Sequence, residues 1–223
     1  MQKHWLLIAM VAIITLFVGG GIIYQITSSR TPVSQPQAKA ALTEPTIKIT
    51  DPQRGNQNAP LTIVYFSDFG CDSCAGADTI LTALEKEFPD KIRFVWKDFP
   101  THKNIFPESF EIHKAARCAA TLGKFWDFER TAFLHNSEIR LNTPMLDKII
   151  TESGLSTEAL AECMSSPAVT GVIEENVDEG KRLGVTATPT FFLNNIRYEG
   201  VMPYYQFAGT IRKMLAKIEY DKN

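Results

Sequence analysis

Leu61-Thr62-Ile63-Val64-Tyr65-Phe66 is a continuous β-prone, apolar run, which predicts a strand buried on both faces. After Cys74 the period changes. Ala77, Ile80, Leu81, Leu84 and Phe88 recur at helical spacing and mark one apolar face. Pro89-Asp90 ends that helix, and Ile92 to Trp96 forms the next strand. The result is a strand–helix–strand unit whose strands should pair in parallel through a right-handed crossover. Upstream, Ile47-Lys48-Ile49 reads as one more short strand.

From about residue 100 to residue 184 the pattern is helical throughout. Phe106 to Leu122, rich in alanine, ends at Gly123, and Phe125 to Leu134 follows. Thr143-Pro144 has the cap-then-proline form of a helix start, and Gly154 closes that helix. Ser156-Thr157-Glu158-Ala159 opens a short helix, and Val169 to Leu183 makes another before Gly184. A parallel crossover needs only about a dozen residues, so this stretch reads as a helical subdomain inserted into a smaller α/β domain. Thr190 to Leu193 and Ile196 to Val201 then form a hairpin about Asn194-Asn195, since Asn tolerates positive φ. Pro203 opens a last helix with Tyr204, Ala208, Ile211, Leu215 and Ile218 on one face.

The N-terminus bears on compartment. Trp5 to Ile26 has no charged residue and matches the roughly 20 residues needed to cross a bilayer core. Lys3 precedes it, and Arg30 and Lys39 follow, so the charge bias is weak. A cleaved signal peptide is the alternative. Its apolar core should be shorter, about 7–15 residues, and the small-x-small Ala38-Lys39-Ala40 lies far past the run. The favoured reading is an uncleaved membrane anchor over residues 1–26 and a flexible Ser/Thr/Pro/Gln linker over 27–45, with a folded domain over 46–220. Either reading exports the rest of the chain. A formal net charge of −2 gives no ground for a nucleic-acid partner.

Four cysteines in an exported domain invite disulfides. Cys71-Asp72-Ser73-Cys74 closes a small ring where a strand hands over to a helix N-terminus. There, unpaired N–H groups and the helix dipole favour a thiolate. Cys71 is the expected nucleophile and Cys74 the resolving thiol. A static disulfide or half of a zinc site are the bland alternatives, but no second C-x-x-C or close His pair supplies the missing zinc ligands. His102, His113 and His135 are scattered and read as surface or satisfied core residues. Asp72 places a negative charge beside Cys71 and should raise its pKa, making the disulfide harder to reduce. Asp68 reads first as a turn or cap residue and second as an acid able to relay a proton. Cys118 and Cys163, in two different helices, are expected to form a structural disulfide, with two buried thiols or a second redox relay as alternatives. Phe125, Trp126, Phe128, Phe133 and Trp96 read as core, or in part as a groove for unfolded substrate.

The order β-α-β, helical insert, β-hairpin, α resembles the thioredoxin fold, and the insert resembles its DsbA-like branch of exported thiol oxidoreductases. The resemblance is carried by Phe66-Ser-Asp-Phe-Gly-Cys71-Asp-Ser-Cys74, by Ala116-Arg-Cys-Ala-Ala120 and Gly123-Lys-Phe-Trp-Asp-Phe128, and by Leu183-Gly-Val-Thr-Ala-Thr-Pro-Thr-Phe-Phe-Leu193. It implies an α/β fold with an inserted helical subdomain, here preceded by one transmembrane helix. It also implies that Pro189 is the fold's cis-proline, beside the redox pair, with the Thr188 backbone free to pair with an extended substrate. Members of the DsbA type often carry His before the second cysteine, whereas this chain has Ser73. Thioredoxins carry a buried acid six residues before the first cysteine, whereas this chain has Tyr65.

The expectation is a membrane-tethered, extracytoplasmic thiol–disulfide oxidoreductase that donates its Cys71–Cys74 disulfide to unfolded exported proteins. A quinone-linked membrane partner would reoxidise it, and no organic cofactor or metal is needed. A reductase or isomerase of the same fold is the nearer alternative. A copper(I)-binding module using Cys71 and Cys74 is the more distant one.

Overall fold

The computed structural model describes residues 44–101 and 107–222. The expected anchor (1–26), nearly all of the expected linker (27–45), His102 and Phe106 lie outside the described residues. No helix among the described residues is long and apolar enough to cross a membrane.

Five strands form one sheet in the order β1-β3-β2-β4-β5: β1 (Gln53–Gly55), β2 (Leu61–Ser67), β3 (Ile92–Asp98), β4 (Thr190–Leu193) and β5 (Ile196–Glu199). β2 and β3 run parallel, with Leu61 opposite Ile92, and α1 (Asp72–Glu87) makes the crossover. Between β3 and β4 lie α2 (Pro107–Thr121), α3 (Phe125–Leu134), α4 (Asn136–Arg140), α5 (Leu146–Glu152), α6 (Thr157–Ser165) and α7 (Pro167–Arg182). α8 (Tyr204–Tyr220) follows the hairpin, whose turn holds Asn194 at φ 50°.

Central β2 alternates its side chains between two apolar layers, which is why it reads as a nearly unbroken hydrophobic run. Leu61, Ile63 and Tyr65 face the layer built with α1, α8 and the first inserted helices. Val64 and Phe66 face a smaller layer with Val95, Phe99, Phe192, Leu183 and Val185. α7 passes close over this second layer. A Cβ on its Gly180 would lie 2.6 Å from a ring carbon of Phe99 and 3.0 Å from one of Phe66, so only glycine fits without rearrangement.

Two expectations are corrected. Ile47-Lys48-Ile49 is not a strand. Asp51 draws it into a turn, accepting the Lys48 N–H at 2.8 Å and donating its own N–H to the Lys48 carbonyl at 3.1 Å, and Ile49 is fully exposed. The added strand is instead β1, antiparallel to β3. Its Gln53-Arg54-Gly55 sequence gives no hydrophobic signal. The helix expected from Thr143 begins at Leu146, because the Glu108 carboxylate of α2 accepts the N–H groups of Met145 (2.7 Å) and Leu146 (3.0 Å) and so fixes the start there. The short α4 lies within the stretch expected to be helical, between the helices read as Phe125 to Leu134 and from Thr143.

Candidate active site

Strand β2 ends at Ser67, and a four-residue loop carries the chain into α1. Cys71 is the N-cap of that helix, with extended backbone (φ −105°, ψ 113°), and its sulfur accepts the Cys74 N–H at 3.2 Å. Cys71 is half-buried and Cys74 almost wholly buried, both as free thiols. The Thr188–Pro189 peptide bond is cis, and the Thr188 carbonyl oxygen lies 3.4 Å from the Cys71 sulfur. The fold thus brings the C-x-x-C ring and the Thr188-Pro189-Thr190 segment together. β2 holds one and β4 the other as antiparallel neighbours, with Phe66 opposite Thr190.

The two thiols are driven apart electrostatically. Hydrogen bonding with Cys74 draws the Cys71 thiol down to about 7 against the opposing effect of burial, with Thr188 and the Cys74 N–H adding to the pull. Burial pushes Cys74 well up, and its hydrogen bond with Cys71 pushes the same way. One accessible thiolate beside one buried thiol is the division of labour that thiol–disulfide exchange needs.

Asp72 lies beside Cys71 at the start of α1. Its exposed carboxylate turns to Arg140 of α4, 3.1 Å from Nε, and the Cys71 thiol is lowered nonetheless. Ser73 is exposed on the first turn of α1. Asp68 is buried, and its place is defined by five contacts. Oδ1 accepts the Gly70 N–H (2.9 Å) and the Ser109 hydroxyl, Oδ2 accepts the N–H and hydroxyl of Thr101 (2.9 Å each), and His113 Nε2 stands 3.6 Å from Oδ1. Burial opposes its charge, but His113, Ser109 and Gly70 outweigh that and hold its carboxyl at about 2. An acid held so firmly ionised is a poor proton acceptor at neutral pH. Its backbone also grips the redox loop. The Asp68 carbonyl accepts the Cys71 N–H at 3.2 Å, and the Asp68 N–H and the Ser67 side chain hydrogen-bond to Cys74.

Behind Asp68 runs a buried chain of alternating charge. His113 Nδ1 lies 2.7 Å from Asp98 Oδ1, and Asp98 also takes Arg117 Nε, Trp96 Nε1 (2.9 Å) and Asn176 Nδ2 (3.3 Å). Arg117 Nη2 faces Asp51 at 3.8 Å, and Lys97 bridges Asp51 (2.7 Å) and Glu179 (3.0 Å). Sequence reading missed this chain. Its available trace is His113 and Arg117 four residues apart on one helix face, but nothing local shows that Asp98, at the end of β3, lies opposite them.

His113 is therefore a core histidine, bonded to Asp98 through Nδ1 while its buried Nε2 makes no hydrogen bond, and His135 pairs with Glu152 at 2.7 Å. Trp96 is core, stacked on Phe69 with centroids 5.0 Å apart, and Phe125, Phe128 and Phe133 pack around these two rings beneath the redox loop. Cys118 of α2 and Cys163 of α6 form a disulfide. Among the described residues, no group of three or more His, Cys, Asp or Glu side chains is placed to hold a metal ion.

A thioredoxin family profile matches residues 48–213. Among curated proteins, the Na(+)/H(+) antiporter NhaA 1 of Mycolicibacterium vanbaalenii is 28% identical over 191 residues. The match takes in 85% of this chain but only 30% of that protein. Among solved structures, alpha-DsbA1 of Wolbachia pipientis is similar at TM-score 0.70 and 19% identity, covering 79% of this chain and 96% of its own. A thioredoxin-like oxidoreductase from Silicibacter pomeroyi is similar at TM-score 0.67 and 24% identity, covering 78% and 94%. The chain belongs to the thioredoxin family, and its fold is that of the DsbA-like thiol–disulfide oxidoreductases.

Proposed function

We propose that the chain is an extracytoplasmic protein thiol–disulfide oxidoreductase that donates its Cys71–Cys74 disulfide to exported proteins. The observation that carries this reading is the accessible, acidified Cys71 sulfur, seated at a helix N-terminus 3.4 Å from the Thr188 carbonyl and backed by a buried Cys74. A substrate thiolate attacks the Cys71 sulfur of the oxidised pair, and the Cys71–Cys74 bond breaks. Cys74 leaves with the electron pair, is met by hydrogen bonds from Asp68 N–H and Ser67, and takes up a proton because its thiol is the favoured form. A second substrate thiolate then attacks the substrate sulfur of the mixed disulfide. Cys71 departs as a thiolate held by the Cys74 N–H and the helix terminus. The substrate leaves with one disulfide, and the pair has gained two electrons.

An exported location is supported by the Cys118–Cys163 bridge, since structural disulfides persist in oxidising compartments. The apolar run Trp5 to Ile26 supports a membrane tether. A membrane redox partner would then return the pair to the disulfide.

A reductase is the second reading, favoured by one observation. A Cys71 thiol at about 7 is similar to thioredoxin's, about 7, rather than to the strongest oxidant's, about 3.5. The test is to mix the oxidised protein with a reduced, unfolded secretory protein and count disulfides. Transfer of one disulfide per molecule, abolished in Cys71→Ser, supports the donor. No transfer, with ready reduction of disulfides by the reduced form, supports the reductase.

A further inference from the structure

We propose that His113, carried by the inserted helix α2, is a positioning residue for the redox pair. It is the cation that neutralises Asp68, so that the Cys71 thiolate forms beside a compensated carboxylate rather than a bare one. The inference rests on the oxidoreductase reading and deepens it.

The imidazole is wholly buried between two carboxylates, 2.7 Å from Asp98 and 3.6 Å from Asp68, and is held by the Phe69 ring at 4.7 Å. The two acids are not equally placed. Asp98 already has a permanent cation in Arg117, with Asn176 of α7 and Trp96 of β3 adding neutral donors. The other partners of Asp68 among the described residues are the N–H of Gly70, the Ser109 hydroxyl, and the N–H and hydroxyl of Thr101, all neutral. His113 is therefore the charged partner of Asp68 among the described residues. Lys97, Asp51 and Glu179 continue the ladder beyond Arg117 and do not reach the ring.

Asp68 in turn acts on the chemistry. Its charge opposes the Cys71 thiolate, and its backbone holds both cysteines. Burial disfavours the imidazolium, but the Asp68 and Asp98 carboxylates on either side of the ring outweigh this and raise the His113 pKa. When a substrate dithiol gives two electrons to the pair, Cys71 ends as a thiolate. An uncompensated Asp68 makes that product less favourable, and the disulfide a weaker acceptor. The insert thus supplies from behind the positive charge that the Asp72-Ser73 dipeptide does not supply.

The test uses the full chain as His113→Gln, Asp68→Asn and the double variant. The Cys71 midpoint is read from thiolate absorbance against pH, and the equilibrium with glutathione is read separately. His113→Gln is expected to raise the midpoint by about one unit and to lower the equilibrium constant about tenfold, which is about 30 mV for two electrons. Asp68→Asn is expected to move both the other way, and the double variant to return near the parent. Shifts in the same direction for the two single variants, or no shift in His113→Gln, overturn the proposal. If His113→Gln does not fold, Asp68→Asn decides. A lowered Cys71 midpoint supports the charge balance, and an unchanged or raised one overturns it. A parent chain with no reversible couple in glutathione would overturn the oxidoreductase reading itself, while the thiolate titration would still test the His113 effect.

Discussion

The Cys71 sulfur and the Thr188 carbonyl oxygen lie 3.4 Å apart although 117 residues separate them in sequence. The contact closes one wall of the site. An incoming thiol must approach Cys71 from its exposed side.

Cys71 and Cys74 should separate cleanly in reactivity. Alkylation of the reduced protein should reach half its limiting rate near the Cys71 midpoint of about 7, with Cys74 unmodified. Cys71→Ser should lose at least about a hundredfold in exchange rate, as expected for a missing nucleophile. Cys74→Ser should accumulate a mixed disulfide at Cys71, visible as added mass. Labelling of Cys74 in preference to Cys71 would contradict the assignment.

Acid should destabilise the domain through Asp68. Its folded carboxyl, at about 2, lies below the ordinary value of 3.8. Its contribution is therefore present above about pH 4 and is lost as pH falls towards 2. The shift corresponds to about 2 kcal/mol. His113 has the opposite sign. Its raised pKa gives stability that is full below about pH 6.5 and is lost as pH rises through the folded value. Denaturation of the oxidised protein, in which Cys71 does not titrate, should show both limbs. Asp68→Asn should flatten the acid limb.

Removing the Cys118–Cys163 bridge as the double alanine variant should cost about 3–4 kcal/mol, from the loop entropy of a 45-residue separation. The Cys71 midpoint should stay in place. Denaturant midpoints and thiolate titration check the two halves, and a moved Cys71 midpoint would make the bridge more than structural.

Gly180→Ala should destabilise by about 1–3 kcal/mol, because the new methyl meets the Phe99 and Phe66 rings at 2.6–3.0 Å. Thermal unfolding measures this directly, and a neutral result would mean that α7 shifts freely over the sheet.

The parts of the fold legible in sequence are those whose signal is local. β2 and β3 announce themselves as apolar runs, α1 by the spacing of Ala77 to Leu84, and the hairpin by Asn194. Elements fixed by distant partners do not. β1 exists because Gln53 to Gly55 pair with Arg93 to Val95, and α5 starts where Glu108 reaches across from α2. The site divides in the same way. Cys71, Cys74 and Pro189 are readable from motif and context. By contrast, the partner Arg140 of Asp72 and the Asp68–His113–Asp98–Arg117 ladder depend on how the inserted helices fold back over β3.

The reduction potential of the Cys71–Cys74 couple in glutathione buffers tests the central claim most directly. A reversible couple between about −120 and −270 mV is predicted, with the range above about −200 mV marking a disulfide donor. A bond that resists glutathione, with a potential below about −300 mV, would mark a structural disulfide and contradict the account.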